Sequence, residues 1–387
     1  MKRRTVLSMG GGAALMLGGA AGRPVVAFED SKNVMRYRGV VYDVGLRFTP
    51  GGGYSVDPFN PELVAYDINA IANQMHANAI RIEGEEIDRL VTAARLAHDA
   101  KLTVVFNPWK MNVPVTELKE YFVQAARAAE ALRNDGLNII FVPGCEMSLF
   151  NEGIIEGATV TERVKWIAST LGGSDMSPED IVAILEQKGQ MIDKALRPIV
   201  EAVRQEFGGR VTYASGTWEM VDRSLFDIVG VDHYRSSETT EDYVAALDRY
   251  RLGKPLVVTE VGSCAYEGAG ALGSGGFMRL LGVNPDGTGN FVDGVIPVRS
   301  EREQADYVEE QLTLLNDAGV DGVFIYVFSF PSYRHGEGAR DLDMMSFSLV
   351  KTYPEDDPRG QNMPPWEPKE AFHRIGTLYE VMAGISK

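Results

Sequence analysis

The chain has 387 residues, 45% of them hydrophobic and 24% charged, a balance that supports a sizeable core without a disulfide framework or structural metal. Its formal charge of −16 argues against a nucleic-acid partner, because phosphate binding needs clustered Lys and Arg, and it disfavours strongly anionic substrates. The two cysteines, Cys145 and Cys264, form no metal or redox motif and fall on segments expected to lie far apart.

At the N-terminus, Arg3 and Arg4 precede an apolar Gly- and Ala-rich run from Met9 to Ala21, with small-residue cleavage options near Ala21 or Ala27. The pattern resembles a twin-arginine export signal over residues 1–27 and leads us to expect an exported protein, extracellular, periplasmic or attached to the cell envelope. Retention of the segment as a membrane anchor is the alternative. No later stretch is long and apolar enough to span a bilayer.

From residue 37 onward, short β-branched apolar runs alternate with amphipathic segments. A strand over Tyr37–Tyr42 is followed by a helix over Pro61–His76, a strand over Ala79–Ile82 and a helix over Glu86–Ala100. Next come a strand at Thr103–Phe106, a helix at Val115–Asn134 and a strand at Ile139–Val142. A large loop, Met147–Asp175, then leads into a helix at Pro178–Phe207 and a strand at Val211–Ala214. Only a brief helix around Val221–Leu225 separates that strand from the next, Ile228–Val231. Helix Glu241–Arg251, strand Leu256–Thr259, a second large loop (Val261–Arg299) and helix Glu301–Ala318 follow. Strand Gly322–Val327 and helix Glu370–Met382 complete the series. Asn60-Pro61 and Ser177-Pro178 supply a capping side chain before a proline at the first helical position.

Eight buried-looking strands in strict alternation with helices predict an α/β fold, a single-domain (β/α)8 barrel over residues 37–387, with enlarged loops after strands four and seven. Such loops gather at the C-terminal face, where barrels build their sites. The chemistry is expected there. Strand four ends in Gly144-Cys145-Glu146, and strand seven ends in Thr259-Glu260-Val261-Gly262. These strands face each other across the barrel mouth, so two carboxylates converge on one cleft. That arrangement suits glycosidic cleavage, where one group protonates the leaving oxygen and the other attacks or activates water from the opposite face.

On these motifs the sequence, from about residue 37 to 382, resembles the clan of retaining (β/α)8 glycoside hydrolases, and within it the β-mannanase-like members. It is also similar to exported actinobacterial-type barrels labelled "abortive infection protein", a label that implies no chemistry visible here. The resemblance implies Glu146 as acid/base and Glu260 as nucleophile, with the two carboxyl groups roughly 5–5.5 Å apart. It further implies that Arg81, at the end of strand two, and Tyr234, after strand six, hydrogen-bond the nucleophile and that Arg81 holds it ionised. Trp109 after strand three, and more weakly Trp218 after strand five, are candidate stacking platforms for a sugar ring or plain loop anchors. Asp43, Asn107, Asp232 and Tyr326 also stand at strand ends, as candidates to bind hydroxyls or to support the nucleophile from the core.

Three positions depart from the clan pattern. Cys145 replaces the Asn that usually precedes the acid/base, Asp232 stands where many relatives have His, and strand eight reads Phe324-Ile-Tyr-Val-Phe328 without the usual Trp. A thiol is a poor donor, so the usual contact to a 2-hydroxyl is in doubt. The polar stretch holding Arg334, His335, Asp341 and Asp343 is either one rim of the cleft or a solvated loop.

The expected partner is an oligosaccharide, polysaccharide or glycoside, with no metal and no organic cofactor. The five histidines are scattered without metal-ligand spacing, and no Gly-x-Ser-x-Gly elbow follows a strand. The competing reading is a catalytically silent barrel that binds glycans, for which Cys145 and the missing Trp speak. Sugar identity and linkage are left open.

Overall fold

The computed structural model describes residues 35–172 and 176–385; the predicted export signal lies outside them. Strand β1 (Tyr37–Asp43), helix α1 (Pro61–Asn73), β2 (Ala79–Gly84), α2 (Ile87–Asp99), β3 (Thr103–Pro108), α3 (Leu118–Asn134) and β4 (Ile139–Phe141) open the chain. The connection after β4 carries a one-turn helix, α4 (Met147–Phe150), and α5 (Val160–Gly172), so much of the expected loop is helical. Then come α6 (Pro178–Glu206), β5 (Arg210–Val211), β6 (Val229–Asp232), α7 (Thr240–Ala245) and β7 (Leu256–Val261). The connection after β7 folds into 3-10 turns and a hairpin, β8 (Leu280–Val283) with β9 (Gly289–Phe291). Helix α8 (Glu301–Asp317) leads to the eighth barrel strand, β10 (Gly322–Ile325). Past the polar stretch that follows it, the chain forms a ribbon that the sequence pattern did not reveal, β11 (Val350–Thr352) with β12 (Trp366–Pro368), before α9 (Glu370–Met382).

The eight barrel strands run parallel in the order β5-β4-β3-β2-β1-β10-β7-β6. Beyond the short β5, the chain pairs with its neighbours through the bridges Cys145–Ala214 and Gly216–Asp232. The amide of Asp227 donates to Val211 O at 2.9 Å and that of Asp232 to Ser215 O at 2.8 Å, which closes the ring between β5 and β6. Closure leaves no sheet edge to be covered.

The helices form for the reasons their sequences announce. Asn60 caps α1 by accepting from the amide of Glu62, and Ser177 caps α6 by accepting from that of Asp180, each followed by proline. In α2 the buried residues are Leu90, Ala93, Ala94 and Ala97, a single stripe at helical spacing turned onto the sheet. One apolar core fills the space between helices and sheet. A second, with Val41, Val105, Ile140, Val257 and Phe324, fills the barrel interior, as alternation along a strand covered on both faces requires.

The loop after β10 is pinned by buried charge. Lys369 is fully buried, with Nζ 2.9 Å from the Asp343 carboxylate and 3.0 Å from Ser348 Oγ, while Arg299 lies 2.9 Å from both Asp341 and Asp343. His335 Nδ1 lies 3.1 Å from Asp341. This polar stretch is a structural brace. Lys369→Met is expected to destabilise the fold by about 3 kcal/mol in denaturant titration, because Arg299 alone must then compensate Asp343.

Candidate active site

The site rests on the C-terminal ends of the strands. Register pairs Val41 with Arg81 and Arg81 with Val105, and one step higher Asp43 with Glu83 and Glu83 with Asn107. Residues two apart on a strand share a face. Arg81 reaches across the barrel interior, so the row Asp43–Glu83–Asn107 above it also faces inward.

Glu260 ends β7, close against β10: a Cβ on Gly262 would lie 2.2 Å from the Tyr326 carbonyl oxygen, so only glycine fits there. Both oxygens of the Glu260 carboxylate are gripped. Arg81 Nη1 lies 2.8 Å from Oε1, and the Tyr234 hydroxyl donates to Oε2 at 2.9 Å. Arg81 is fully buried and is itself fixed by Asn107 Oδ1 at 2.8 Å and Thr259 O at 3.0 Å. Burial works against the charge of its guanidinium, but Cys145, Glu260, Glu83 and Asp232 more than offset it.

Glu146 stands on the turn after β4, buried like Glu260, with left-handed φ of 39° and ψ of 50°. An L residue adopts this conformation only when its surroundings impose it. Here the Glu146 amide donates to Ala214 O at 2.8 Å, and Gly144 takes φ of 113° just before it. Behind the turn, the buried Glu219 accepts from the amide and the hydroxyl of Ser148 at 3.0 and 2.7 Å. Tyr213 accepts from the Met147 amide at 2.8 Å and donates to Glu219. Burial, together with the negative charge of Asp232, Glu260 and Glu219, pushes the Glu146 carboxyl well above the usual carboxylate range. The same surroundings favour its protonated form over the carboxylate.

Cys145 lies between these parts, with Sγ 3.5 Å from Glu260 Oε1 and 3.6 Å from Asp232 Oδ2. Burial and the two carboxylates push the thiol up, so it stays protonated and can donate to one of them at a time. Asp232 accepts from Thr259 Oγ1 at 2.6 Å, and burial with the charge of Glu260 pushes it well above its ordinary value.

Several solved structures share this architecture. A GH113 β-1,4-mannanase superposes with a TM-score of 0.53 at 13% identity, covering 89% of this chain and 99% of its own. GH113 β-mannanase AaManA from Alicyclobacillus acidocaldarius gives 0.53 at 15% identity, covering 91% and 99%. PbGH5A, a glycoside hydrolase family 5 enzyme from Prevotella bryantii B14, gives 0.51 at 12% identity, covering 91% and 98%. The fold is the (β/α)8 barrel of these glycoside hydrolases. No protein-family model matches the chain, and no curated relative does.

Of the residues singled out in the sequence, Arg81, Asn107, Asp232, Tyr234 and Glu260 join in one connected set, with Cys145 among them. Tyr326 follows β10 directly, and burial with the charges of Glu83, Glu260 and Asp43 pushes its phenol well up. Asp43 accepts from the Gly45 amide at 2.7 Å, and burial raises its carboxyl to about 6. Trp109 is 3% exposed, with the edge of Phe150 against it, so it is a buried ring and not an open platform. Trp218 is half-buried and donates to Ser148 Oγ at 3.0 Å, which ties it to the Glu146 turn.

Sequence reasoning missed Glu83, Tyr213 and Glu219. Glu83 was signalled by its place two residues after Arg81 on one strand, the spacing that puts both on one face. Glu219 carried no signal, because it lies on an irregular segment and only the tertiary fold brings it to Ser148.

Two clusters have the composition of metal sites: Cys145, Asp232 and Glu260, and His335, Asp341 and Asp343. In the first, the Arg81 guanidinium already holds Glu260 and opposes a second cation. In the second, Arg299 and Lys369 already neutralise the carboxylates. At the opposite, N-terminal end of the barrel an open groove of about 540 Å³ is lined by Arg133, Asn138, Arg204, Arg210 and Asp227. It holds no pair of carboxyl groups, and its Arg133 and Arg204 are paired with Glu130 and Asp227.

Among the described residues, no helix is long and apolar enough to cross a membrane.

Proposed function

We propose that this protein is a retaining O-glycoside hydrolase. The observation that supports it best is the contrast between two buried carboxyl groups at one barrel mouth: Glu260 bound at both oxygens by Arg81 and Tyr234, Glu146 kept as an acid. Pairs of carboxyl groups whose surroundings divide their protonation states are how one site performs acid and nucleophilic work together. The Glu260 carboxylate attacks the anomeric carbon while Glu146 passes its proton to the leaving oxygen. A covalent glycosyl ester forms and the aglycone departs as an alcohol. Glu146, now ionised, takes a proton from water, whose oxygen displaces Glu260 and releases the sugar.

The first test is a screen of the protein against aryl glycosides and plant, fungal and bacterial polysaccharides. Glu146→Ala is expected to slow substrates with poor leaving groups by roughly 10²–10⁴-fold while sparing activated aryl glycosides, whose leaving groups need little protonation. The sign of the pH dependence follows. Since Glu146 must enter protonated and its surroundings raise its pKa, wild-type activity should persist above the ordinary glutamate range and fall as Glu146 ionises. Glu146→Ala should lose that alkaline limb on activated substrates. Equal loss on both substrate types, or an unchanged pH profile, would remove Glu146 from the role.

A catalytically silent glycan-binding barrel is the second reading, favoured by Cys145 lying within 3.5 Å of Glu260. Silence across the screen, with saturable glycan binding unaffected by Glu260→Ala, would support it.

A further inference from the structure

Beside the two carboxyl groups lies a set of buried polar atoms that the proposed chemistry leaves unused. Glu83 is fully buried, and neither of its carboxyl oxygens has a hydrogen-bond partner in the protein; its nearest cation, Arg81 Nη2, stands at 3.5 Å. Arg81 Nη2 likewise makes no hydrogen bond, and nor do Asp43 Oδ2 and Trp109 Nε1. These groups are neighbours. Asp43 and Glu83 are register partners on β1 and β2, and the Arg81 guanidinium carbon is 5.9 Å from the centre of the Trp109 ring. Buried polar groups without partners cost about 1–3 kcal/mol each. So many at one strand-end mouth mean that something else satisfies them.

The pattern says what. The set holds both acceptors (the Asp43 and Glu83 oxygens) and donors (Trp109 Nε1–H and Arg81 Nη2–H), and a hydroxyl can both donate and accept. The same mouth holds five buried carboxyl groups, Asp43, Glu83, Glu146, Asp232 and Glu260, against the single guanidinium of Arg81. A ligand carboxylate brought there would be desolvated beside the Glu260 carboxylate, which already holds the mouth's one cation.

We propose that Asp43, Glu83, Arg81 Nη2 and Trp109 form a hydroxyl-binding subsite that anchors an uncharged sugar ring beside Glu260 and rejects uronic acids. The subsite rests on the carbohydrate reading of the cleft, but not on turnover. Trp109 serves it through its N–H, and Glu83 through a carboxyl that burial and the charges of Glu260 and Asp43 keep protonated against the pull of Arg81.

The test is equilibrium binding, followed by NMR titration, to Glu146→Gln protein, which removes hydrolysis from the readout. The probes are the methyl glycosides of mannose, glucose and galactose and of the three corresponding uronic acids. At least one neutral glycoside should bind saturably, with its uronic counterpart about tenfold weaker or worse. Trp109→Phe, which keeps the ring and deletes the N–H, should weaken that binding about threefold to tenfold. Glu83→Ala should weaken it by about tenfold, and Glu83→Gln, an uncharged isostere of the protonated acid, should restore most of it. A uronide that binds as tightly as its neutral partner overturns the proposal. So does a failure of every neutral glycoside to bind, or binding indifferent to both Trp109→Phe and Glu83→Ala. Wild-type protein that turns over nothing while these binding results hold would overturn the hydrolase reading alone.

Discussion

Glu260→Ala is expected to reduce turnover by at least about 10⁴-fold on every substrate, activated or not, since in the proposed mechanism the glycosyl intermediate forms on its carboxylate. Steady-state rates on an activated aryl glycoside check this directly, because such a substrate makes no demand on Glu146. The fold should survive. Deleting one member of a buried ion pair ordinarily costs about 3–5 kcal/mol by stranding its partner. Here Arg81 is not stranded, since Glu83 lies 3.5 Å from its other terminal nitrogen and Asn107 and Thr259 keep their hydrogen bonds. With Glu260 gone, the repulsion that helps keep Glu83 protonated is gone too, and Glu83 can ionise to pair with Arg81. A thermal midpoint close to wild type, beside a complete loss of rate, is the combination that assigns Glu260 to chemistry. A residual rate within about tenfold of wild type would remove it from the nucleophile's role.

Arg81→Met should produce the reverse combination, damage to both fold and rate. Among the described residues the guanidinium is the only cation paired with Glu83 and Glu260, and its loss takes the ion pair and the hydrogen bond at Oε1 from the buried Glu260. We expect a destabilisation of about 3–5 kcal/mol and a fall in kcat of roughly 10²–10³-fold. A fall in kcat with an unchanged thermal midpoint would mean that Arg81 serves Glu260 alone, and lost stability with kcat within about tenfold of wild type that it serves the fold alone.

Much of this arrangement was legible in the sequence, for a physical reason. A barrel strand is buried on both faces, so it writes itself as an uninterrupted apolar run, and the first polar residue after the run must lie at the mouth. Glu260, Glu146 and Asp43 were found that way, and Arg81 as the one charge interrupting such a run. What escaped notice was either too short or too irregular to leave a pattern. Strand β5 keeps only Arg210 and Val211, and its continuation toward Ala214 and Gly216 pairs by single bridges. The ribbon of β11 and β12 is three residues on each side, below the length at which alternation can be told from chance. Helix α7 stops at Ala245, where a longer helix to Arg251 was expected, and a 3-10 turn over Asp248–Tyr250 finishes the segment. Trp109 reads equally as a stacking platform or a loop anchor, because sequence gives proximity to a strand end but not depth.

The left-handed turn at Glu146 has a wider consequence. Glu260 is mounted on a continuous hydrogen-bonded strand, whereas Glu146 hangs on a bend whose posture depends on Ser148, Tyr213 and Glu219. On the proposed mechanism, the two halves of the reaction thus have separate mechanical supports. Variation among the residues behind the bend would retune how well the departing group is assisted, leaving the attacking carboxylate in place. A lineage carrying this barrel could explore new aglycones by changing side chains that never meet the sugar.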